Sequence, residues 1–327
     1  MRAFITGHNG FIGKNLPAAL ERQGIQTVFT DGRHTDLNFT DKSELCVYQN
    51  NEDVWKKVLT ELEVDILIHN AAVVGTDVVG LDPIGATSTN VTGTYSLIRV
   101  ANDLKIPIVY LGTTVIYDTL KYQNENIVEE SERGPHTYYG HLKLLGEDLV
   151  KSMARDWSIV RPLFAFGGIG DMNSLIAKTF YGYFAKKDNI DMFLDPNLIK
   201  DYLHVNDFCD AVAIVCSNSN HRYEDYNVAA ETPIKTREIV DMMSVIAGED
   251  LDKLITWHPE TDYLGNHRLS SRKFKSMTGW EPKFTLDQGL RDSWNSICHA
   301  VQGNAGYNPL QYLEEAKEKN VNLLEFY

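Results

Sequence analysis

The stretch Arg2-Ala3-Phe4-Ile5-Thr6-Gly7-His8-Asn9-Gly10-Phe11-Ile12-Gly13 decides how this chain folds. Ala3 to Thr6 is an apolar run that reads as a buried strand. Asn15 to Arg22 then carries helical spacing, and Gly24 stops it. Between the two stand Gly7, Gly10 and Gly13, a GxxGxxG pattern. Glycine at those places permits a tight turn and a close approach of backbone to an anion. The helix that follows points its free N-terminal amides at the same spot. Glycines alone would also suit an ordinary strand–helix turn. Asp31 strengthens the reading, because it closes the next apolar run, Thr27 to Thr30, 18 residues after Gly13. A carboxylate there accepts both hydroxyl hydrogens of a ribose and repels a 2′-phosphate. The pattern predicts a dinucleotide site, with NAD favoured over NADP. Arg33 and His34, close to Asp31, leave NADP open.

Outward from that turn, apolar runs alternate with amphipathic stretches. Leu45 to Tyr48 reads as a third strand, Val54 to Leu62 as a helix, and Asp65 to His69 as a strand buried on both faces. Gly93 to Leu104 reads as a helix and Ile106 to Leu111 as the next strand. Tyr138 to Arg155 is a long helix, and Trp157 to Arg161 a strand closed by Pro162. This rhythm calls for an α/β fold, a doubly wound parallel sheet with helices on both faces. From Phe164 the rhythm loosens, and Gly167-Gly168-Ile169-Gly170 reads as a hinge. The expected division is a dinucleotide-binding domain over 1–163 and a smaller mixed α/β substrate domain over 164–300. A segment near 200–216 would cross back to the first domain, and 301–327 would form a C-terminal appendage.

The chain has 327 residues, with 31 Lys and Arg against 45 Asp and Glu. A net charge of -14 argues against nucleic acid and against anionic membranes, which both need a basic surface. No apolar run is long enough to span a bilayer, and the N-terminus enters a strand without the order of a signal peptide. The four cysteines form no CxxC pair, and no HExxH or carboxylate cluster calls for a metal. A reducing, cytoplasmic setting is expected.

Tyr139 and Lys143 open the long helix four residues apart, so both lie on one face. Tyrosine ordinarily titrates near 10, and a neighbouring ammonium favours its phenolate. The pair then suits proton transfer to and from a substrate hydroxyl. Thr113 and Thr114 follow the Ile106–Leu111 run, where parallel sheets open their crevice, and a hydroxyl there can orient the same oxygen.

With these motifs in order, the chain resembles the extended short-chain dehydrogenase/reductase family, specifically its NAD-dependent nucleotide-sugar epimerases and dehydratases. The resemblance runs from Met1 to about Trp294. It rests on TGHNGFIG (6–13), Asp31, IHNAA (68–72), NVTGT (90–94), GTTVIY (112–117), YYGHLK (138–143), RPLFAFG (161–167), KDYLHVNDFCDAV (200–212), YNVAAETP (226–233) and GWEP (279–282). It implies a Rossmann-type domain in which Tyr139 is the acid/base, Lys143 holds the ribose and Thr113 takes the Ser/Thr position. Gly7, Asn9, Gly10, Phe11, Ile12 and Gly13 would cradle the pyrophosphate. Ala71, Ala72 and Val73 would line the dinucleotide, Asn90 would buttress the nicotinamide ribose, and Pro162 would approach the nicotinamide. Tyr48 and Gln49 would sit at the adenine edge. A homodimer through a four-helix bundle of the helices near 86–104 and 138–155 is also implied.

Departures from the family narrow the reaction. Its dehydratases carry Asp-Glu after the catalytic Thr, where this chain has Thr114-Val115. The Glu of its decarboxylases and the Cys of its 3,5-epimerase/reductases are likewise replaced by Val115. The implied set serves hydride transfer at one carbinol, a 4-epimerase or alternatively a 4-keto reductase using NAD(P)H. A silent dinucleotide-binding scaffold is the reading from another class. At the substrate end, Thr114 would touch the sugar, while Lys200 and Arg268 would meet the diphosphate of a nucleotide sugar. Phe164 stands where many members have Asn.

Overall fold

The computed structural model describes residues 1–28, 51–170 and 174–303. Its main sheet contains β1 (Arg2–Thr6), β2 (Gln26–Val28), β3 (Ile66–His69), β4 (Ile108–Leu111), β5 (Trp157–Pro162) and a further strand, Glu224–Val228. The order across the sheet is Glu224–Val228, β5, β4, β3, β1, β2. Every neighbouring pair is parallel, with Thr6 beside His69 and Leu111 beside Val160. The composition of β3, Ile-Leu-Ile-His, follows from this position. All four residues are buried, because helices cover both faces of the sheet.

One face is covered by the first helix, Phe11–Arg22, and by the helix Val205–Ser217, which bring Leu16, Leu20, Phe208 and Val212 onto Ile5 and Ile68. The other face is covered by the helices Glu52–Glu61, Thr94–Leu104 and Tyr138–Met153, with Trp55, Leu59, Leu97 and Val150 against Phe4, Leu67 and Ile159. Each buried Leu or Ile contributes about 2 kcal/mol of apolar transfer, so the doubly wound layers hold themselves. A smaller mixed region packs around Phe166, Phe180, Ile239, Met243 and Leu290. Its helices are Leu175–Phe184, Thr236–Ala247 and Leu286–Gly303. Short strand pairs join it, Ile190–Met192 with Ile255–Trp257 and Ile199–Lys200 with Ile234–Lys235. No helix among the described residues is long and apolar enough to cross a membrane.

The strands match the sequence reading to within a residue or two. The first helix begins at Phe11 rather than Asn15, because the glycine turn runs directly into it. The expected Leu45–Tyr48 strand lies outside the described residues, as do Asp31, Tyr48, Gln49 and the 304–327 part of the appendage. Ahead of Thr94 the helical run from Pro83 contains a π turn, Ser88–Gly93, that periodicity does not reveal.

Candidate active site

The chain passes from β1 to β2 on one side and then to β3 on the other, so a crevice opens at the carboxyl ends of β1 and β3. The glycine turn lies there. Gly7 has φ +66°, in the left-handed region, and Gly10 N–H donates to Gly7 O at 3.0 Å. A Cβ on Gly13 would stand 2.2 Å from Gly7 O and 2.7 Å from His8 Cα. A Cβ on Gly7 would stand 2.8 Å from Ala71 Cα. Turn, helix and the end of β3 therefore meet backbone to backbone. Gly10 caps the first helix without any side-chain hydrogen bond, so its first amides stay available to an anion. Asn9 and Gly10 are exposed at the rim, with Phe11 and Ile12 half-buried behind them.

A chain of hydrogen bonds ties this turn to the next elements. Thr6 Oγ1 accepts from Asn70 N at 3.1 Å and from Ala71 N at 3.0 Å. Its own proton then goes to His69 Nδ1 at 2.9 Å. His69 Nε2 in turn donates to Thr94 Oγ1 at 2.9 Å, and Thr94 Oγ1 donates to Asn90 O at 2.8 Å. Each step follows from the donors and acceptors available. Burial, with the Lys143 charge, lowers the His69 imidazole to about 3, so it stays neutral. Asn90 is buried in the π turn and pairs twice with Val73, accepting from its N at 2.8 Å and donating to its O at 2.9 Å. Ala71 and Ala72 are thus held at the mouth of the crevice between two anchored residues.

The proposed chemistry sits one strand further along. Thr113 lies two residues past the end of β4, is buried, and accepts from Val115 N at 3.5 Å. Thr114 is also buried and opens a short 3-10 turn. Thr137 caps the Tyr138–Met153 helix by accepting from Gly140 N, which sets the first turn that carries Tyr139. Tyr139 packs half-buried against the cluster of Val73, Val78, Val79, Ala86 and Leu142. Lys143 is buried, and its Nζ donates to Leu111 O at 2.7 Å and lies 4.1 Å from the Tyr110 ring centroid. Burial lowers the ammonium to about 7, and the charge of Glu147 works against that fall.

The substrate end is built differently from the sequence expectation. Pro162 closes β5 half-buried, and Phe164, two residues on, has φ +31°. Lys200 is buried rather than presented to the crevice. Its Nζ makes a 3.1 Å salt bridge with Asp262, donates to Gly265 O at 2.7 Å and lies 5.8 Å from the Phe164 ring centroid. A lysine so closed is spoken for by a carboxylate, whereas the sequence reading sent it to a diphosphate. Arg268 is half-buried, and its carbonyl accepts from Ile127 N.

A model of the NAD dependent epimerase/dehydratase family matches residues 3–229. The chain belongs to that family. A protein named probable low-salt glycan biosynthesis reductase, from Haloferax volcanii, is 29% identical over 201 residues, 61% of this chain and 65% of the relative. The alignment thus spans just under two thirds of that relative's length. A UDP-glucuronate 4-epimerase from Thermodesulfobacterium geofontis is 24% identical over 316 residues, 89% of this chain and 94% of that one. The solved structure of RMD from Pseudomonas aeruginosa complexed with NADPH has a TM-score of 0.76 at 23% identity, covering 91% of this chain and 99% of that chain. That likeness is one of fold.

The crevice of this epimerase/dehydratase family member fits a dinucleotide on its own geometry. Three glycines leave a cradle that a Cβ at Gly7 or Gly13 would fill, and uncapped amides face it. Thr6, His69 and Thr94 were missed as supporting residues. The signal was a histidine inside the apolar run Ile66–His69, since a buried imidazole needs partners.

Proposed function

We propose that this chain exchanges hydride at carbon 4 of a nucleotide sugar, as an NAD-dependent 4-epimerase. The observation that supports the reading is that the helix carrying Tyr139 and Lys143 sends Lys143 Nζ to Leu111 O, two residues before Thr113, while Thr114 and Val115 stand where water-eliminating relatives would need an acid and a base. When bound, NAD supplies the hydride acceptor and donor. The Gly7–Gly13 turn would hold its pyrophosphate, Ala71 to Val73 and Pro162 would line it, and Lys143 would take its ribose.

The chain's own residues then divide the proton work. Thr113 Oγ1 orients the C4 oxygen. Tyr139 Oη takes the hydroxyl proton as C4 is oxidised, and returns it as C4 is reduced. Lys143 favours the phenolate by charge. An epimerase reuses its cofactor, so the first experiment is to denature the purified protein and identify what it releases by mass spectrometry. NAD at close to one per chain is expected, together with interconversion of a 4-epimer pair without added cofactor. A second reading is a 4-keto-sugar reductase, favoured by the reductase among the relatives and by the NADPH complex of similar fold. Protein that leaves purification empty and consumes NADPH with a 4-keto sugar would replace the first reading with the second.

The same reading includes a homodimer. Ile84 is 84% exposed, and Leu81, Tyr138 and Leu145 are each 46% exposed. A cavity of about 370 Å³ lined by Pro83, Ile84, Thr87, Ser88, Thr92 and Tyr138 lies among them. Apolar surface of this kind is usually covered. Sedimentation at micromolar protein is expected to give a dimer, and Ile84→Asp to shift it toward monomer. A wild type that sediments as a monomer would reject this.

A further inference from the structure

The helix face that carries Tyr139 and Lys143 carries one more polar residue a turn further on, Glu147. Glu147 is fully buried, and so is its partner Arg161 on β5. Arg161 Nε donates to the two Glu147 oxygens at 2.9 and 3.1 Å, and Nη2 donates to Oε2 at 2.8 Å. Nη2 also donates to Asp225, and Nη1 to Tyr117 Oη at 2.9 Å and Asn227 Oδ1 at 3.3 Å. All the donors of the guanidinium are thereby used. A buried ion pair often adds no stability over apolar side chains of the same volume. Its presence here asks for a second role.

What the pair touches supplies that role. A Cβ on Gly112 would stand 2.5 Å from Glu147 Oε1 and 2.9 Å from Arg161 Cγ, so the pair lies flush on the Gly112 backbone. On one side of Gly112 is Leu111, whose carbonyl accepts from Lys143 Nζ, and on the other is Thr113. We propose that Glu147 and Arg161 are positioning residues for the hydride exchange, setting how the Tyr139–Lys143 face meets the Leu111–Thr113 strand end. The inference rests on the function proposed above.

Charge acts along the same line. Lys143 lies over Tyr110 from β4 and interacts by charge with His69 from β3 and with Glu147 from its own helix, which carries Tyr139 one turn earlier, while Arg161 and Asp225 reach it through Glu147. His69 stays neutral, so Glu147 is the group that holds the buried ammonium up.

Glu147→Gln keeps the shape and removes the charge. Turnover is expected to fall about ten-fold, with KM for the nucleotide sugar within about three-fold. The alkaline limb of the kcat profile is expected to move down by about one pH unit, because Lys143 then loses its proton earlier. Gly112→Ala keeps both charges and wedges the pair outward. A similar fall in kcat is expected there, with the alkaline limb in place. A second readout needs no substrate: the pH at which a small amine-reactive reagent half-labels Lys143, followed by peptide mass spectrometry. That midpoint is expected to drop in Glu147→Gln. A folded Glu147→Gln with the wild-type midpoint and profile overturns the proposal. Should Glu147→Gln not fold, undiminished turnover in Gly112→Ala overturns it. A wild type that turns over no nucleotide sugar defeats the proposed function alone, and the labelling midpoint still decides the role of the pair.

Discussion

Tyr139→Phe is expected to lower turnover by about three orders of magnitude while dinucleotide affinity stays within about two-fold. The substitution removes one oxygen and keeps the ring. That ring packs against the cluster that includes Val73 and Leu142, so the helix start and the crevice wall survive. What is lost is the only step for which the proposed reaction needs the hydroxyl, the transfer of the C4 proton. Thr113 cannot replace it, because an aliphatic hydroxyl has no phenolate form that a nearby ammonium could stabilise near neutral pH. The measurement is kcat for a 4-epimer pair, with dinucleotide binding measured on the same preparation. A variant that keeps more than about a tenth of wild-type turnover would remove Tyr139 from the acid/base role. In that case the Thr113–Tyr139–Lys143 reading would fall with it.

Gly13→Ala should cost at least about 100-fold in dinucleotide affinity, about 2.7 kcal/mol. The added methyl would lie 2.2 Å from Gly7 O, 2.7 Å from His8 Cα and 2.9 Å from His8 C. All three are backbone atoms, so no side chain can swing aside. The turn must move, and it cannot move toward β3, where Gly7 already lies against Ala71. Displacing Gly7 also strains the Asn70 Nδ2 bond to Gly7 O, 2.9 Å in the structure. The loss should be confined to binding. Gly80→Ala is the control, because nothing lies within 4 Å of its added carbon. Titration of both variants with NAD checks this, and Gly13→Ala binding at wild-type strength would mean that the turn does not hold the pyrophosphate.

The sheet, the glycine turn and the start of the Tyr138–Met153 helix were legible because they rest on local rules. Residues 2–13 combine a two-sided buried strand, a glycine turn and a helix start, and the structure keeps each within a few positions. Tyr139 and Lys143 needed only helical spacing. What escaped depends on partners distant in sequence. Lys200 carries the same charge whether it faces a phosphate or a carboxylate, and Asp262, 62 residues on, decides which. His69 reads as a misfit in an apolar strand until Thr6 and Thr94 are placed beside it. Glu147 and Arg161 look like ordinary surface charges in sequence, and only their burial against Gly112 distinguishes them.

The π turn at Ser88–Gly93 has an evolutionary corollary. Such a turn is an α-helix with one surplus residue, and a helix advances about 100° for each residue. Losing a single codon there would let Pro83 to Leu104 close as one uninterrupted helix, with a full complement of its own bonds. It would also rotate one half of that rod against the other, and Asn90 could no longer meet Val73 while Thr94 meets His69. The segment is therefore constrained in its length more tightly than in its letters. Apart from Asn90, descendants of this chain can drift in composition there, whereas an in-frame deletion of one residue is the lesion that selection for cofactor binding would purge, even where it made the fold more robust.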